Sequence, residues 1–274
     1  MAESVDETDY QNRFSGLGRL FGDAALPVFQ SAHVAVIGIG GVGSWTAEAL
    51  ARTGIGEITL VDLDDVCITN VNRQLHAIDG QIGKTKVAAM AERMERIFPG
   101  CRIHVREEFF TPATAEDILS GGFDCVVDAI DNVAHKCELI AACRDRKIPV
   151  VVVGGAGGKT DPACVSTADL AFATNDRLLK QVRKKLRREF DFPPEIREVP
   201  FGARAVFSTE NARYPWADGS VSETPEPGSD LALNCESGFG TAAFVTGTFG
   251  FAAAAEAVKL LIEEKSNGQG LVVE

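Results

Sequence analysis

HVAVIGIGGVGS, residues 33–44, is the stretch that decides the fold. His33 to Ile37 is a short apolar run rich in Val, the signature of a strand buried on both faces in a parallel sheet. Gly38, Gly40 and Gly43 follow at GxGxxG spacing, with Gly41 as an extra glycine. The first permits a tight turn, the second lets backbone approach a phosphate, and the third allows close packing of helix on strand. Val42 to Arg52 then reads as a helix ending at Thr53-Gly54, so its N-terminus points at whatever anion the turn receives. About twenty residues on, Ile58 to Val61 is a second strand ending in Asp62, where an acid would meet a ribose hydroxyl. Ribose contact serves a dinucleotide and ATP equally, so the choice between them rests on other residues.

Those residues follow at once, in ITLVDLDDVCITNVNRQ, residues 58–74. A nicotinamide wants a mostly apolar pocket. Moving an adenylyl group onto a carboxylate instead builds negative charge on three phosphates and a leaving pyrophosphate. That chemistry calls for cationic clamps, a magnesium ligand and backbone donors. Asp64, Asn70, Arg73, Gln74 and Lys86 supply the charged and polar set, with Arg73 and Lys86 separated by a turn at Asp79-Gly80 and a helix beginning near Gly83. Phe123 to Asp128 is a further strand. Asp131 and Asn132 lie just past its end, where ligands bind parallel sheets, and Asp131 is the candidate magnesium ligand. The coarse order is an N-terminal helical segment (16–31), then alternating strands and helices to 153. It predicts a Rossmann-like, doubly wound α/β fold with a mainly parallel sheet, helices on both faces and a C-terminal extension. The 274 residues read as a single domain, with a nucleotide-binding core in 1–155 and a substrate-side extension in 156–274.

Arg13-Phe14, GIGGVGS at 38–44, DLDDVxxxNxxRQ at 62–74, GKTK at 83–86 and DAIDN at 128–132 together resemble the ubiquitin-activating-enzyme-like adenylating family. The resemblance implies ATP with magnesium, an acyl-adenylate intermediate and a homodimer; a monovalent cation is left open. It assigns Arg73 and Lys86 to phosphates, Asp62 and Asp64 to the ribose side, and Asp131 to the metal. Arg13 matches an arginine offered to the neighbouring subunit's nucleotide. In the back half, VVGGAGGKTDP (152–162), VFSTE (206–210) and LNCESGFGTAAFVTGTFGF (233–251) resemble the branch of tRNA threonylcarbamoyladenosine dehydratases. That branch implies cyclisation of the threonylcarbamoyl group on adenosine 37 of tRNA. Ring closure is then intramolecular, and high effective molarity replaces an enzyme nucleophile. The alternative is adenylation of the C-terminus of a ubiquitin-like or sulfur-carrier protein, with a cysteine desulfurase or sulfur-acceptor system as partner. The chain lacks the two CxxC pairs usual in sulfur-carrier adenylators.

Two motifs invite over-reading. GGAGGKT at 154–160 is one glycine short of a Walker A loop, since Val153 stands where the first glycine belongs, and it reads as a flexible Gly-rich crossover. The seven cysteines include no CxxC pair, and without a secretion signal they fit a reducing cytosol. Cys235, just before Ser237-Gly238 and a helix from about Thr241, is the one thiol placed for activation; a transient thioester and a structural role are both open.

The formal net charge is −12, which argues against general coating of nucleic acid. Against it stands RLLKQVRKKLRR, residues 177–188, with seven basic residues and no acid: Arg177, Lys180, Arg183, Lys184, Lys185, Arg187 and Arg188. A solvated helix face and a set of tRNA phosphate contacts are the two readings. Asp218 to Asp230 is polar and reads as a mobile loop. The N-terminus carries four acids by Asp9 and no apolar core, which predicts a cytoplasmic protein. Residues 238–255 form an uncharged run near membrane-span length; rich in Ala, Gly and Thr, it reads as a buried helix, with membrane association the lesser alternative.

Overall fold

The computed structural model describes residues 7–195, 198–228 and 239–269, the side chains of 7 and 266–269 excepted. Strands β1 (His33–Ile37), β2 (Glu57–Val61), β3 (Arg102–Arg106), β4 (Cys125–Asp128) and β5 (Val150–Val153) are joined through helices α3 (Gly43–Arg52), α4 (Lys86–Ile97), α5 (Ala115–Leu119) and α6 (Val133–Arg146). The chain continues through β6 (Val165–Asp169), α7 (Arg177–Glu189), β7 (Arg204–Ser208), a hairpin of β8 (Tyr214–Pro215) and β9 (Val221–Ser222), and a long α8 (Ala243–Gln269). The main sheet has the order β3-β2-β1-β4-β5-β7-β6, parallel throughout except that β6 runs antiparallel to β7. The doubly wound expectation holds, and residues beyond 155 add two strands to the same sheet.

Side-chain alternation along β1 shows how the layers form. Val34 and Val36 join an apolar core with residues of α3, α4 and α8, whereas Ala35 and Ile37 join a second core with residues of α6 and α7. Both faces are thus covered, as the continuous apolar strands require. The helix following β1 lies on one face and the helix following β4 on the other. The crevice between the carboxyl ends of β1 and β4 is therefore the topological switch point.

The N-terminal segment departs from the reading of 16–31 as the helical stretch. It is two helices, α1 (Glu7–Phe21) and α2 (Ala25–Ser31), broken at Gly22-Asp23. The earlier start has a packing cause: Tyr10 and Phe14, one helical turn apart, pack with Phe98 at ring-centroid distances of 4.9 to 5.7 Å. The polar stretch from Asp218 departs too. β8 and β9 pair antiparallel across it, and the Trp216 indole donates to the Thr224 carbonyl at 3.0 Å, so it begins as a hairpin rather than a mobile loop. Residues 229 and 230 lie outside the described residues. The apolar run near the C-terminus forms α8, long and apolar enough over Ala243–Lys265 to span a membrane by length and composition, yet mostly buried. It packs across α3 and β5, and the Thr46 hydroxyl donates to the Gly250 carbonyl at 3.2 Å, as in a core helix.

Candidate active site

A cavity of about 560 Å³ opens at the switch point. Its floor is the Gly-rich turn. Gly38 has φ +92°, and a Cβ at Gly43 would stand 1.8 Å from the Gly38 carbonyl oxygen, so both positions need glycine for the turn to close on α3. Gly38, Gly40 and Gly41 line the cavity; Gly43 lies beneath it as the packing glycine.

Asp62 lines one side, almost fully buried. Its carboxylate accepts from the Ile39 amide at 2.7 Å and the Asp64 amide at 2.9 Å, which ties the end of β2 to the glycine turn. An ionised carboxylate can accept about four hydrogen bonds, so capacity remains for a ribose hydroxyl. Burial pushes the Asp62 carboxyl above its usual value, opposed by the Lys86 ammonium 3.8 Å away. Lys86 is buried at the first turn of α4 and binds Asp64 at 2.6 Å. Arg73 lines the cavity with its guanidinium near the surface, donating to the Thr69 carbonyl at 2.8 Å and to Asn72 at 3.1 Å. Its own carbonyl accepts from Trp45 of α3 and Thr246 of α8, both at 3.1 Å, so α8 helps fix the arginine. Gln74 is buried at the cavity wall, and its Oε1 has no hydrogen-bond partner among the described residues. An orphaned buried acceptor costs free energy unless something else satisfies it, and a nucleotide N–H would do so.

Asp131 and Asn132 face this set from the end of β4. Asn132 is the N-cap of α6, accepting from the Ala134 and His135 amides at 2.9 and 3.1 Å. Asp131 thus sits where a helix N-terminus favours anions. Asp128, the last residue of β4, is fully buried against Lys136 at 2.9 Å, an ion pair that holds β4 to α6 below the cavity.

Three expected residues lie elsewhere. Asn70 is not on the cavity wall: its side chain accepts from the Cys67 amide at 3.0 Å, and its carbonyl accepts from the Arg73 and Gln74 amides. The three-residue spacing from Cys67 lets it close a 3-10 turn (Ile68–Asn70), so it shapes the loop that presents Arg73. Arg13, on α1, binds Asp9 at 2.7 Å and the Ile97 carbonyl at 3.2 Å, away from its own subunit's cavity. Cys235 lies outside the described residues.

The structure adds residues that spacing did not reveal. The loop read as a flexible Gly-rich crossover is pinned instead: the Gly154 amide donates to Val206, the Gly155 amide to Asp176, and the Gly158 amide to Gly240. A Cβ at Gly154 would fall 2.2 Å from the Asp176 carboxylate, so glycine serves close approach there, not mobility. The loop leads into a 3-10 turn (Pro162–Cys164), not the helix of a P-loop. It delivers Lys159 to the cavity, buried, with its ammonium on the carbonyls of Asn175 and Glu210; burial draws that pKa below its ordinary value. Asp176, the buried N-cap of α7, accepts from Leu179 at 2.8 Å, and its pKa is raised by burial. Arg177 follows at the cavity rim. His76 lies buried behind Lys86 with both ring nitrogens unpartnered among the described residues; burial, helped by the Lys86 charge, lowers its pKa to about 4.

Residues 15–272 match the model of the ThiF family. The chain belongs to the ThiF family. Within it, similarity runs to the dehydratase branch over nearly the whole chain. The tRNA threonylcarbamoyladenosine dehydratase of Haemophilus influenzae is 45% identical over 94% of this chain and 96% of its own length. Among solved structures, one titled TcdA (CsdL) superposes with a TM-score of 0.87 at 44% identity, covering 96% of this chain and 99% of the other. A structure of the Escherichia coli tRNA N6-threonylcarbamoyladenosine dehydratase in complex with ATP gives 0.83 at 42% identity, over 97% and 99%. These ThiF-family relatives span both halves, including the Lys159 loop and α8 that complete the cavity.

Proposed function

We propose that this chain is an ATP-dependent dehydratase that cyclises N6-threonylcarbamoyladenosine at position 37 of tRNA. The observation that carries the reading is that one cavity gathers the Gly38–Gly43 turn, Arg73 and Lys86 from the first half with Lys159 and Arg177 from the second. A threonyl carboxylate oxygen attacks the α-phosphorus of ATP, and pyrophosphate leaves. An atom of the same modification then attacks the acyl carbon, and AMP and a proton leave as the ring closes. The two reactants are already tethered, so effective molarity replaces a covalent enzyme nucleophile. Cys235 is assigned an assisting role, not an obligatory one.

The chain's own residues orient and neutralise. Backbone N–H groups of the glycine turn and the start of α3 receive phosphate oxygens. Lys86 and Arg73 hold the charge that grows on the phosphates, Asp62 and Asp64 take the ribose side, and Lys159 draws the substrate carboxylate into the cavity. Magnesium suits Asp131, because that ion favours one or two carboxylates beside phosphate oxygens; when bound it would neutralise phosphate charge. Arg177, Lys180, Lys184 and Arg188 are exposed along α7 and are assigned to tRNA phosphates. Arg183 and Arg187 are half-buried, the latter stacked 5.2 Å over Phe201; Lys185 and Arg188 both pair with Glu189, but Lys185 is half-buried and Arg188 exposed, so Arg183, Lys185 and Arg187 contribute less. The active species is a homodimer in the cytoplasm in which Arg13 reaches the partner's nucleotide. Ile68, Val71, Phe244 and Phe251 supply exposed apolar surface for the contact.

ATP–pyrophosphate exchange tests this reading. Exchange should require tRNA that carries threonylcarbamoyladenosine. Exchange driven instead by a small protein's C-terminal carboxylate, and not by that tRNA, would move the chain to the sulfur-carrier branch.

A further inference from the structure

At the end of the sheet opposite the cavity, three side chains from three adjacent strands converge. Register pairs His33 of β1 with Glu57 of β2, and Thr59 of β2 with His104 of β3. Side chains two apart on a strand share a face, so His33, Glu57 and His104 project from one face of the sheet. The His104 Nε2 lies 2.7 Å from Glu57 Oε1, and the His33 Nδ1 lies 3.7 Å from the same oxygen. The three donor atoms all fall within 4.8 Å of one another. With β2 five residues long at about 3.3 Å per residue, the cluster stands roughly 16 Å from Asp62 and takes no part in the nucleotide site.

We propose that His33, Glu57 and His104 form a binding site for a divalent first-row transition metal of the zinc class. Two imidazoles and one carboxylate are a ligand set these ions accept, with water completing the shell. Two ligands each about 2.1 Å from one ion stand at most about 4.2 Å apart, so both contacts to Glu57 already fit. In a tetrahedral shell of that radius the ligand atoms stand about 3.4 Å apart, so the imidazole pair, within 4.8 Å, would close by up to about 1.4 Å on binding.

The surroundings orient the donors. The His33 Nε2 is 2.8 Å from the Thr59 hydroxyl, which leaves Nδ1 turned toward Glu57. Phe123 packs edge-on against the His33 ring at 4.7 Å and fixes its plane. Arg102 holds the other Glu57 oxygen, leaving Oε1 to the two imidazoles. Hydrogen bonds behind ligands in this manner set ring tautomer and raise ligand basicity. The His33 side chain is mostly buried, so the ring has little room to turn away. The Gly121 carbonyl and the Asp124 carboxylate face the same ring and add negative potential. An ion here would tie the starts of β1 and β2 to the middle of β3, and β3 is an edge strand.

The test uses the full-length chain, stripped with chelator and titrated with zinc chloride, with cobalt chloride as the spectroscopic probe. Wild type should bind zinc at this site, and cobalt should show ligand-field bands without a thiolate charge-transfer band. His104→Gln, at an exposed position that leaves the core intact, and His33→Gln should each remove one equivalent. Thr59→Val should weaken binding about 10–100-fold, the usual effect of losing a group behind a ligand. ATP-dependent activity of His104→Gln should match wild type, and zinc should raise the Tm of wild type but not of that variant. Zinc stoichiometry unchanged in both histidine variants, or no binding below millimolar zinc, would overturn the assignment and leave a charge network on the sheet face.

Discussion

Replacing Lys86 with Met keeps most of the side chain's volume and removes its charge, and the consequences can be worked out separately for rate and stability. The ammonium lies 2.6 Å from Asp64 and 3.8 Å from Asp62 and is buried at the wall that receives the phosphates. As a preorganised donor to charge that grows in the transition state, its loss should slow adenylation by about 10²–10³, or 2.7–4 kcal/mol. Asp64 is half exposed, so losing that ion pair costs little stability. Asp62 is buried and would keep its two amide donors but lose its cation, at a cost of about 1–3 kcal/mol. The pH dependence has a definite sign. Burial already raises the Asp62 carboxyl above 3.8, and without Lys86 it rises further. A raised acid keeps a proton in the folded state that the unfolded chain has lost. The stability deficit therefore grows as pH climbs from the unfolded pKa of 3.8 to the raised folded pKa and is greater at pH 7 than at pH 4. Single-turnover assays with ATP and threonylcarbamoyladenosine-bearing tRNA measure the rate, and urea unfolding at both pH values measures the deficit. A rate near wild type, with equal destabilisation at the two pH values, would show Lys86 to be a wall residue without a phosphate role.

His76 should make the protein acid-sensitive: with a folded pKa of about 4 against 6.5 unfolded, its contribution is intact above 6.5 and falls as pH drops toward 4, by about 2 kcal/mol at pH 5. Denaturant titrations at pH 7 and pH 5 of wild type and His76→Gln should differ by that amount, and identical pH dependence would mean the ring is satisfied in solution. Replacing Lys180, Lys184 and Arg188 by Gln should weaken tRNA binding and lower the log–log salt slope by roughly 0.7–0.9 per lost contact, with ATP affinity unchanged; an unaltered slope would place the tRNA surface elsewhere. Mixed dimers of Arg13→Ala and Lys86→Ala subunits should recover part of the activity, because one of their two sites is intact; a verified heterodimer without recovery would refute sharing of Arg13.

Short-range geometry was the part the sequence made legible. The glycine spacing, Asp62 at a strand end and Asp131-Asn132 after β4 all depend on contacts between neighbouring elements, and the cavity gathers them as expected. Asn70 stands off the cavity wall because its polar side chain satisfies its own turn, an alternative that composition leaves open. Lys159 escaped because GGAGGKT fails the P-loop pattern, and its role emerges only when β5, β7 and the start of α7 are brought together around it. The signal was present: a lysine in a glycine-rich loop directly after a parallel strand points toward the carboxyl end of the sheet. Asp176 and His76 carry no motif at all, and only burial marks them.

Mass spectrometry of nucleosides from threonylcarbamoyladenosine-bearing tRNA, after incubation with the protein, ATP and magnesium, bears most directly on the account. It should find a product lighter by one water, formed with one AMP and one pyrophosphate per ring closed, and formed about 10²–10³ more slowly when Lys86 is replaced by Met. Unchanged nucleoside in the presence of folded, ATP-binding protein would contradict it.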